Sequence, residues 1–226
     1  MRFLAIVVLG VCILSSCQKE DVLPGAREDL NQLKEEFINT ITQSGVEEGL
    51  FSFNYTFRTV FFSKSLMSLF GHLFVHDRLP HGWTQYEGKT YYMSEKGMKF
   101  LRLEDLFSTG EHKAFLTRYC EKKLREDPIS YFSGEEPLKT ILRFDELNTF
   151  VVDEHNLIIV FQPYSVGGCS DGPIHVKIPY KELEGHWSFP NPITIAVDDA
   201  LRTKEFTSSW DEEEFYRKLA DGYWDK

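Results

Sequence analysis

Between Phe51 and Phe61 an alternating row, Phe51, Phe53, Tyr55, Phe57, Thr59 and Phe61, is separated by Ser52, Asn54, Thr56, Arg58 and Val60. A period of two puts the aromatic set on one face of a β-strand, whereas a helix would scatter it around its axis. Aromatic strand faces are more often core than exposed surfaces for stacking sugars. The stripe therefore predicts a sheet with a covering layer. The chain can supply one, since 42% of its 226 residues are hydrophobic and 15% aromatic. This length suits one compact domain, or one with a small appendage.

Further strands are expected at Ser65 to Val75 and Thr84 to Tyr92, with a turn at Asp77, Pro80 and Gly82 between them. Another turn is read at Glu95-Lys96-Gly97. Thr109 or Gly110 opens a helix with Phe115, Leu116, Tyr119, Cys120 and Leu124 on its apolar face, stopping before Pro128. Thr149 to Asp153 and Leu157 to Gln162 read as a hairpin turning at Asp153–Asn156, and Ile174 to Ile178 as one more strand. A strand is also expected at Ile193 to Val197. Amphipathic helices are expected from Glu28 to Ile41 and after Ser209, where Glu212 completes a capping box. Helices between runs of antiparallel-type strands give an α+β class, mainly antiparallel sheet with helices packed on one side.

The N-terminus reads as an address. Met1-Arg2 precedes an apolar stretch, Phe3 to Leu14, too short to span a bilayer permanently. The ending Leu14-Ser15-Ser16-Cys17 resembles the lipobox of bacterial lipoproteins, whose cysteine is acylated and becomes the new N-terminus. That resemblance implies a signal peptide over 1–16, a lipid on Cys17 and a tether over 17–27. The domain proper then covers 28–187, and 188–226 is a C-terminal strand and helix extension belonging to it. Membrane contact would be through the lipid, in an extracytoplasmic cell-envelope location. Gln18 in place of Asp after the cysteine is compatible with an outer membrane. Of the four cysteines, Cys120 and Cys169 remain after Cys12 is removed and Cys17 modified. Outside the cytoplasm two cysteines can bridge, and closing a loop of this length would stabilise by about 4 kcal/mol. Two free thiols, one buried on a helix face, are the alternative.

Residues of about 50 to 187 resemble the extracytoplasmic domain of RsiV-like anti-sigma factors, a domain of unknown function also found beside a peptidoglycan deacetylase. The resemblance rests on order and spacing. Pro80-His81-Gly82, Tyr91-Tyr92, Gly97 and Leu101-Arg102-Leu103-Glu104-Asp105-Leu106-Phe107 come first, then Phe150, Phe161-Gln162-Pro163-Tyr164 and Ile178-Pro179-Tyr180-Lys181-Glu182-Leu183. Cys169-Ser170-Asp171 replaces the family's Ala/Tyr-rich loop, and Leu79-Pro80 its Gly-Ala. The resemblance implies a binding role in the envelope, with lysozyme or peptidoglycan fragments as ligands. The loops Leu79–Trp83 and Tyr164–Gly172, carrying His81, Trp83, Tyr164 and Asp171, are the expected ligand-binding residues, since binding groups concentrate on loops held by a rigid sheet.

Catalytic constellations are weak. His72 and His76 share a strand face but lie roughly 13 Å apart at about 3.3 Å per residue, too far to share a metal with His81. Ser170-Asp171 has no nucleophile elbow around it. A non-enzymatic role without a cofactor is the favoured expectation, and a hydrolase using His72, His76 and His81 with zinc, or an envelope assembly partner, the alternatives. With 25 basic against 35 acidic residues the net charge is −10, unsuited to the phosphate neutralisation that nucleic acids require. The same charge would attract basic lysozymes.

Overall fold

The computed structural model describes residues 52–76, 83–94, 97–147, 149–168, 172–208 and 210. The signal segment, Cys17, the tether, the helix expected from Glu28 and the helix expected after Ser209 lie outside them. The chain divides into two compact units, residues 1–56 with 73–83 and residues 57–72 with 84–226. The described residues of the first, 52–56, 73–76 and 83, are all extended. The second holds the side-chain packing and hydrogen bonds that follow.

Two antiparallel sheets and a few helices make the fold α+β. The larger sheet has the order β4-β3-β2-β1-β8, from β1 (Ser52–Ser63), β2 (Leu66–His76), β3 (Trp83–Ser94), β4 (Gly97–Leu101) and β8 (Phe206–Ser208). The smaller has the order β5-β6-β7, from β5 (Phe150–Val152), β6 (Asn156–Phe161) and β7 (Ile174–Pro179). The mainly antiparallel sheet expected from the strand signals is present, divided into two. Helices α1 (Leu103–Leu106), α2 (Gly110–Glu126), α3 (Tyr180–Leu183) and α4 (Pro192–Thr203), with a 3-10 turn at Phe144–Glu146, complete the described elements.

The smaller sheet explains the split. Leu157, Ile159 and Phe161 of β6 enter one cluster with Leu116, Cys120 and Leu124 of α2, whereas Ile158 and Val160 enter another with Val60, Phe70 and Tyr86 of the larger sheet. A strand buried on both faces reads as a continuous apolar run, and β6 is one. The β1 stripe is likewise covered on both sides at its end, where Val60 and Phe61 are both wholly buried. Phe61 stacks on Phe206 of β8 at 5.6 Å between ring centroids.

Several contacts bind the sheets. Ser68 Oγ lies 2.9 Å from Thr90 Oγ1 and accepts the Val152 N–H at 2.9 Å. Gln162 accepts the Tyr86 N–H at 2.9 Å and donates to the Tyr86 carbonyl at 2.6 Å, so its amide imitates a strand neighbour. Gly88 passes under β5 so closely that a Cβ there would sit 2.0 Å from the Phe150 carbonyl oxygen. Only glycine permits that approach.

Helix α2 begins as expected: Thr109 Oγ1 accepts the His112 N–H at 3.1 Å. Its buried residues Leu116, Cys120 and Leu124 recur every four positions. The strand expected at Ile193 to Val197 is instead part of α4. Asn191 caps it through Oδ1, accepting the Ile193 N–H at 2.9 Å, and Pro192 occupies its first turn. Ile193, Ala196, Val197 and Ala200 are buried at helical spacing, so this segment completes the core.

Candidate functional site

The Leu101-to-Phe107 motif is structural. Leu101, Leu103, Leu106 and Phe107 are buried, and Asp105 returns to accept the Arg102 N–H at 3.0 Å. In Ile178–Leu183 the two end residues are buried, and Tyr180 donates its hydroxyl to the Asp153 carbonyl at 2.6 Å. Burial, reinforced by the nearby Asp153 and Glu154 carboxylates, holds that phenol well above its ordinary pKa. Tyr180 therefore clasps the β5–β6 hairpin.

The other Pro-Tyr pair behaves differently. Tyr164 has a left-handed backbone, φ 68°, and is 69% exposed. For a bulky residue this conformation costs roughly 1–2 kcal/mol and persists only where its surroundings impose it. They do so on both sides. Ser165 donates both its N–H (3.1 Å) and its hydroxyl (2.6 Å) to the Gln162 carbonyl, and the Tyr164 N–H reaches the Gly167 carbonyl at 3.1 Å. Gln162 is itself fixed to β3, so the turn is anchored to the larger sheet.

A second segment is laced to this turn. Ser130 bridges Gly167, the Tyr131 N–H donates to the Val166 carbonyl at 2.7 Å, and Lys139 Nζ donates to the Ser165 carbonyl at 3.3 Å. Lys139 also pairs with Glu146. Partial burial would raise the Glu146 carboxyl, but the Lys139 ammonium and the Arg143 N–H at 2.8 Å bind its two oxygens and bring it below the ordinary carboxylate range. The segment thus framed carries Ile129, Leu138 and Ile141, which are 47%, 84% and 70% exposed. Tyr164 and these three aliphatic side chains are exposed on two segments joined by the hydrogen bonds above.

Of the expected ligand-binding residues, Tyr164 is the one whose side chain the structure describes, exposed on the Gln162–Gly167 turn. Trp83 lies in β3, with its side chain outside the described residues, as are His81 and Asp171. His72 is buried on β2, its ring centroid 5.1 Å from that of Tyr86. His76 is in β2 with its side chain not described. Among the described residues no three His, Cys, Asp or Glu side chains gather as metal ligands. Cys120 is a free, wholly buried thiol whose pKa burial pushes far up, and Cys169 lies outside the described residues. Ile129, Leu138 and Ile141 escape sequence reading because isolated aliphatics among Ser, Gly and Pro carry no periodicity.

No curated protein matches the chain. Among solved structures, it is similar to a DUF3298 family member from Bacteroides fragilis NCTC 9343, at 17% identity and TM-score 0.52, over 80% of this chain and 74% of that one. It also aligns with a DUF3298 family protein from Pseudomonas aeruginosa PAO1 at 14% identity and TM-score 0.49, over 75% and 79% of the two chains. At such identities the first likeness concerns the fold alone. Residues 104–181 match the family described as a protein of unknown function, DUF3298. These residues run from α1 through the Tyr164 turn to the Tyr180 clasp, and over them the chain is similar to that family.

Proposed function

We propose that this chain is a lipid-anchored bacterial cell-envelope protein that binds a ligand without chemically transforming it, with lysozyme or peptidoglycan fragments the candidate ligands. The lipobox-like Leu14–Cys17 supports the anchoring, and the resemblance to the RsiV-like extracytoplasmic domain supports the ligand class. The observation that carries the reading is Tyr164, an exposed aromatic side chain held in a costly left-handed turn by four neighbouring backbone and side-chain groups. Strain maintained at an exposed residue is characteristic of binding sites.

The test is calorimetric titration of the purified chain with a basic animal-type lysozyme and separately with muropeptides, for wild type, Tyr164→Ala and Tyr164→Gly. Glycine prefers the left-handed backbone, so Tyr164→Gly keeps the turn and removes only the ring. Saturable binding of either ligand, weakened tenfold or more in both variants, is expected. Binding within threefold of wild type in Tyr164→Gly refutes the role of the ring. No heat with either ligand refutes the ligand class.

A further inference from the structure

We infer that the arm from Phe206 to Trp210 is a releasable latch, seated in cis on a strand-addition site for an extended peptide of a partner protein. The site calls for an aromatic side chain at the first position, a hydroxyl at the third and, at the fifth, an aromatic ring without a hydrogen-bond donor. The arm itself outlines the site, because its contacts are made by one continuous stretch of chain. Phe206, Thr207 and Ser208 pair with Ser63, Phe62 and Phe61 of β1. Phe206 stacks on Phe61, and Ser208 donates its hydroxyl to the Glu154 carboxylate. Trp210 stands edge-on to Phe70 at 5.4 Å and to His175 at 5.1 Å, with the Arg58 guanidinium 4.7 Å over its ring. Thr207, at the second position, is exposed and imposes no requirement.

Three features make the occupant replaceable. β8 is only three residues long and lies at the end of its sheet, where local opening is easiest. The arm leaves α4 through Lys204, which is left-handed at φ 59°, and Glu205. Both are exposed, so the arm can swing out without moving the buried residues of α4. Lastly, the Trp210 Nε1–H is buried with no acceptor among the described residues, a penalty that a ring without a donor escapes. Trp210 is only partly buried against Val60, Phe70, Tyr86, Val151, Ile158 and Val160, all of them buried, so it lies over that cluster rather than within it. Once the arm is out, the β1 edge from Phe61 to Ser63 and the recess under Trp210 stand open together. A sheet edge of this kind takes an extended peptide, main-chain pairing supplying affinity and side-chain seats specificity.

The full chain is titrated with synthetic peptides spanning residues 205–210. One is native, one carries Ser208→Ala, and in one Trp210 is replaced by benzothienylalanine, an isostere with sulfur in place of the indole N–H. The arm is emptied in the variant Phe206→Ala with Trp210→Ala, whose folding a thermal melt verifies. In wild type the Trp210 indole resonance, assigned by its loss in Trp210→Phe, reports release. The emptied variant is expected to bind the native peptide tenfold or more tighter than wild type, where the tethered arm competes at a roughly millimolar effective concentration. The benzothienyl peptide should bind at least threefold tighter than the native one, and the Ser208→Ala peptide at least threefold weaker. Saturating benzothienyl peptide should also move the wild-type Trp210 resonance to its solvent-exposed position. A folded emptied variant that binds none of the peptides overturns the site. A wild-type Trp210 resonance unmoved at the solubility limit of the peptide overturns the latch, and decides alone if the emptied variant does not fold. Equal affinities for the three peptides overturn the assigned chemistry.

Discussion

His72 sits on β2 beside the Tyr86 ring, only 6% exposed, and burial lowers its pKa from 6.5 to about 4. The neutral imidazole is the form the fold accepts. Between pH 6.5 and about 4 the unfolded chain binds a proton that the folded chain refuses, so stability falls as pH falls through that window and is complete above it. The loss approaches about 3 kcal/mol at the acid end. Urea midpoints measured across pH 4–7 should drop toward acid in the wild type, and His72→Phe should flatten that slope. A parallel slope in His72→Phe would assign the acid sensitivity to the carboxylates instead. The contrast with Tyr164 is instructive. Both are single aromatic or imidazole groups in the same compact unit, yet one is fixed by burial and the other is exposed at a conformational cost. Only the first is explained by stability.

The meeting of the sheets is governed by Gly88. Its missing side chain leaves room for the Phe150 carbonyl, which a Cβ would meet at 2.0 Å, and that neighbour is backbone that cannot rotate away. Gly88→Ala should therefore destabilise by about 3 kcal/mol, at the severe end of overpacking. Gly110→Ala, at a position with nothing within 4 Å of the new Cβ, is the control and should be neutral or slightly stabilising. Thermal melts of the two distinguish them, and equal midpoints would refute the close approach. Such an approach is invisible in one sequence, where Gly88 looks like any strand-interrupting glycine. Periodicity, by contrast, revealed β1, β2, β3, β6, β7 and α2, because one-sided or two-sided burial writes itself into residue order. It failed at Ile193–Val197. There Ile193, Thr194, Ile195 and Val197 suggest a strand by their β-branching, but the buried residues follow helical spacing and Asn191 caps a helix that Pro192 opens. Of the candidate site, Tyr164 was legible in the sequence through its place in a motif, while His81, Asp171 and the Trp83 side chain lie outside the described residues. Exposure of Leu138 and Ile141 depends on how two loops lace together through Ser130, Tyr131 and Lys139, which no local pattern encodes.

The family match over 104–181 is smaller than the structural unit that holds it. Those residues contain the smaller sheet and α2, but each of the ties described between the sheets ends on a residue of the larger one: Ser68, Tyr86 or Gly88. Beyond the match, α4 contributes Ile193, Ala196, Val197 and Ala200 to the cluster built on α2 and the smaller sheet. β8 then pairs Phe206, Thr207 and Ser208 with Ser63, Phe62 and Phe61 of β1. Burial of Ile193 and Val197 alone is worth about 3–6 kcal/mol, a large part of the roughly 5–15 kcal/mol net stability of a domain. A chain ended after Trp187 keeps every residue of the family resemblance yet exposes that cluster and opens the β1 edge to intermolecular pairing. It should lose its cooperative thermal transition and sediment as aggregates, while a chain ended after Trp210 keeps a cooperative melt. A cooperative melt of the shorter chain within a few degrees of the full one would mean that α4 and β8 only cover a core already closed. The expected loss would mean that the Tyr164 surface requires the whole assembly beneath it, since Gln162 orients the turn only while β3 is in place to receive its amide.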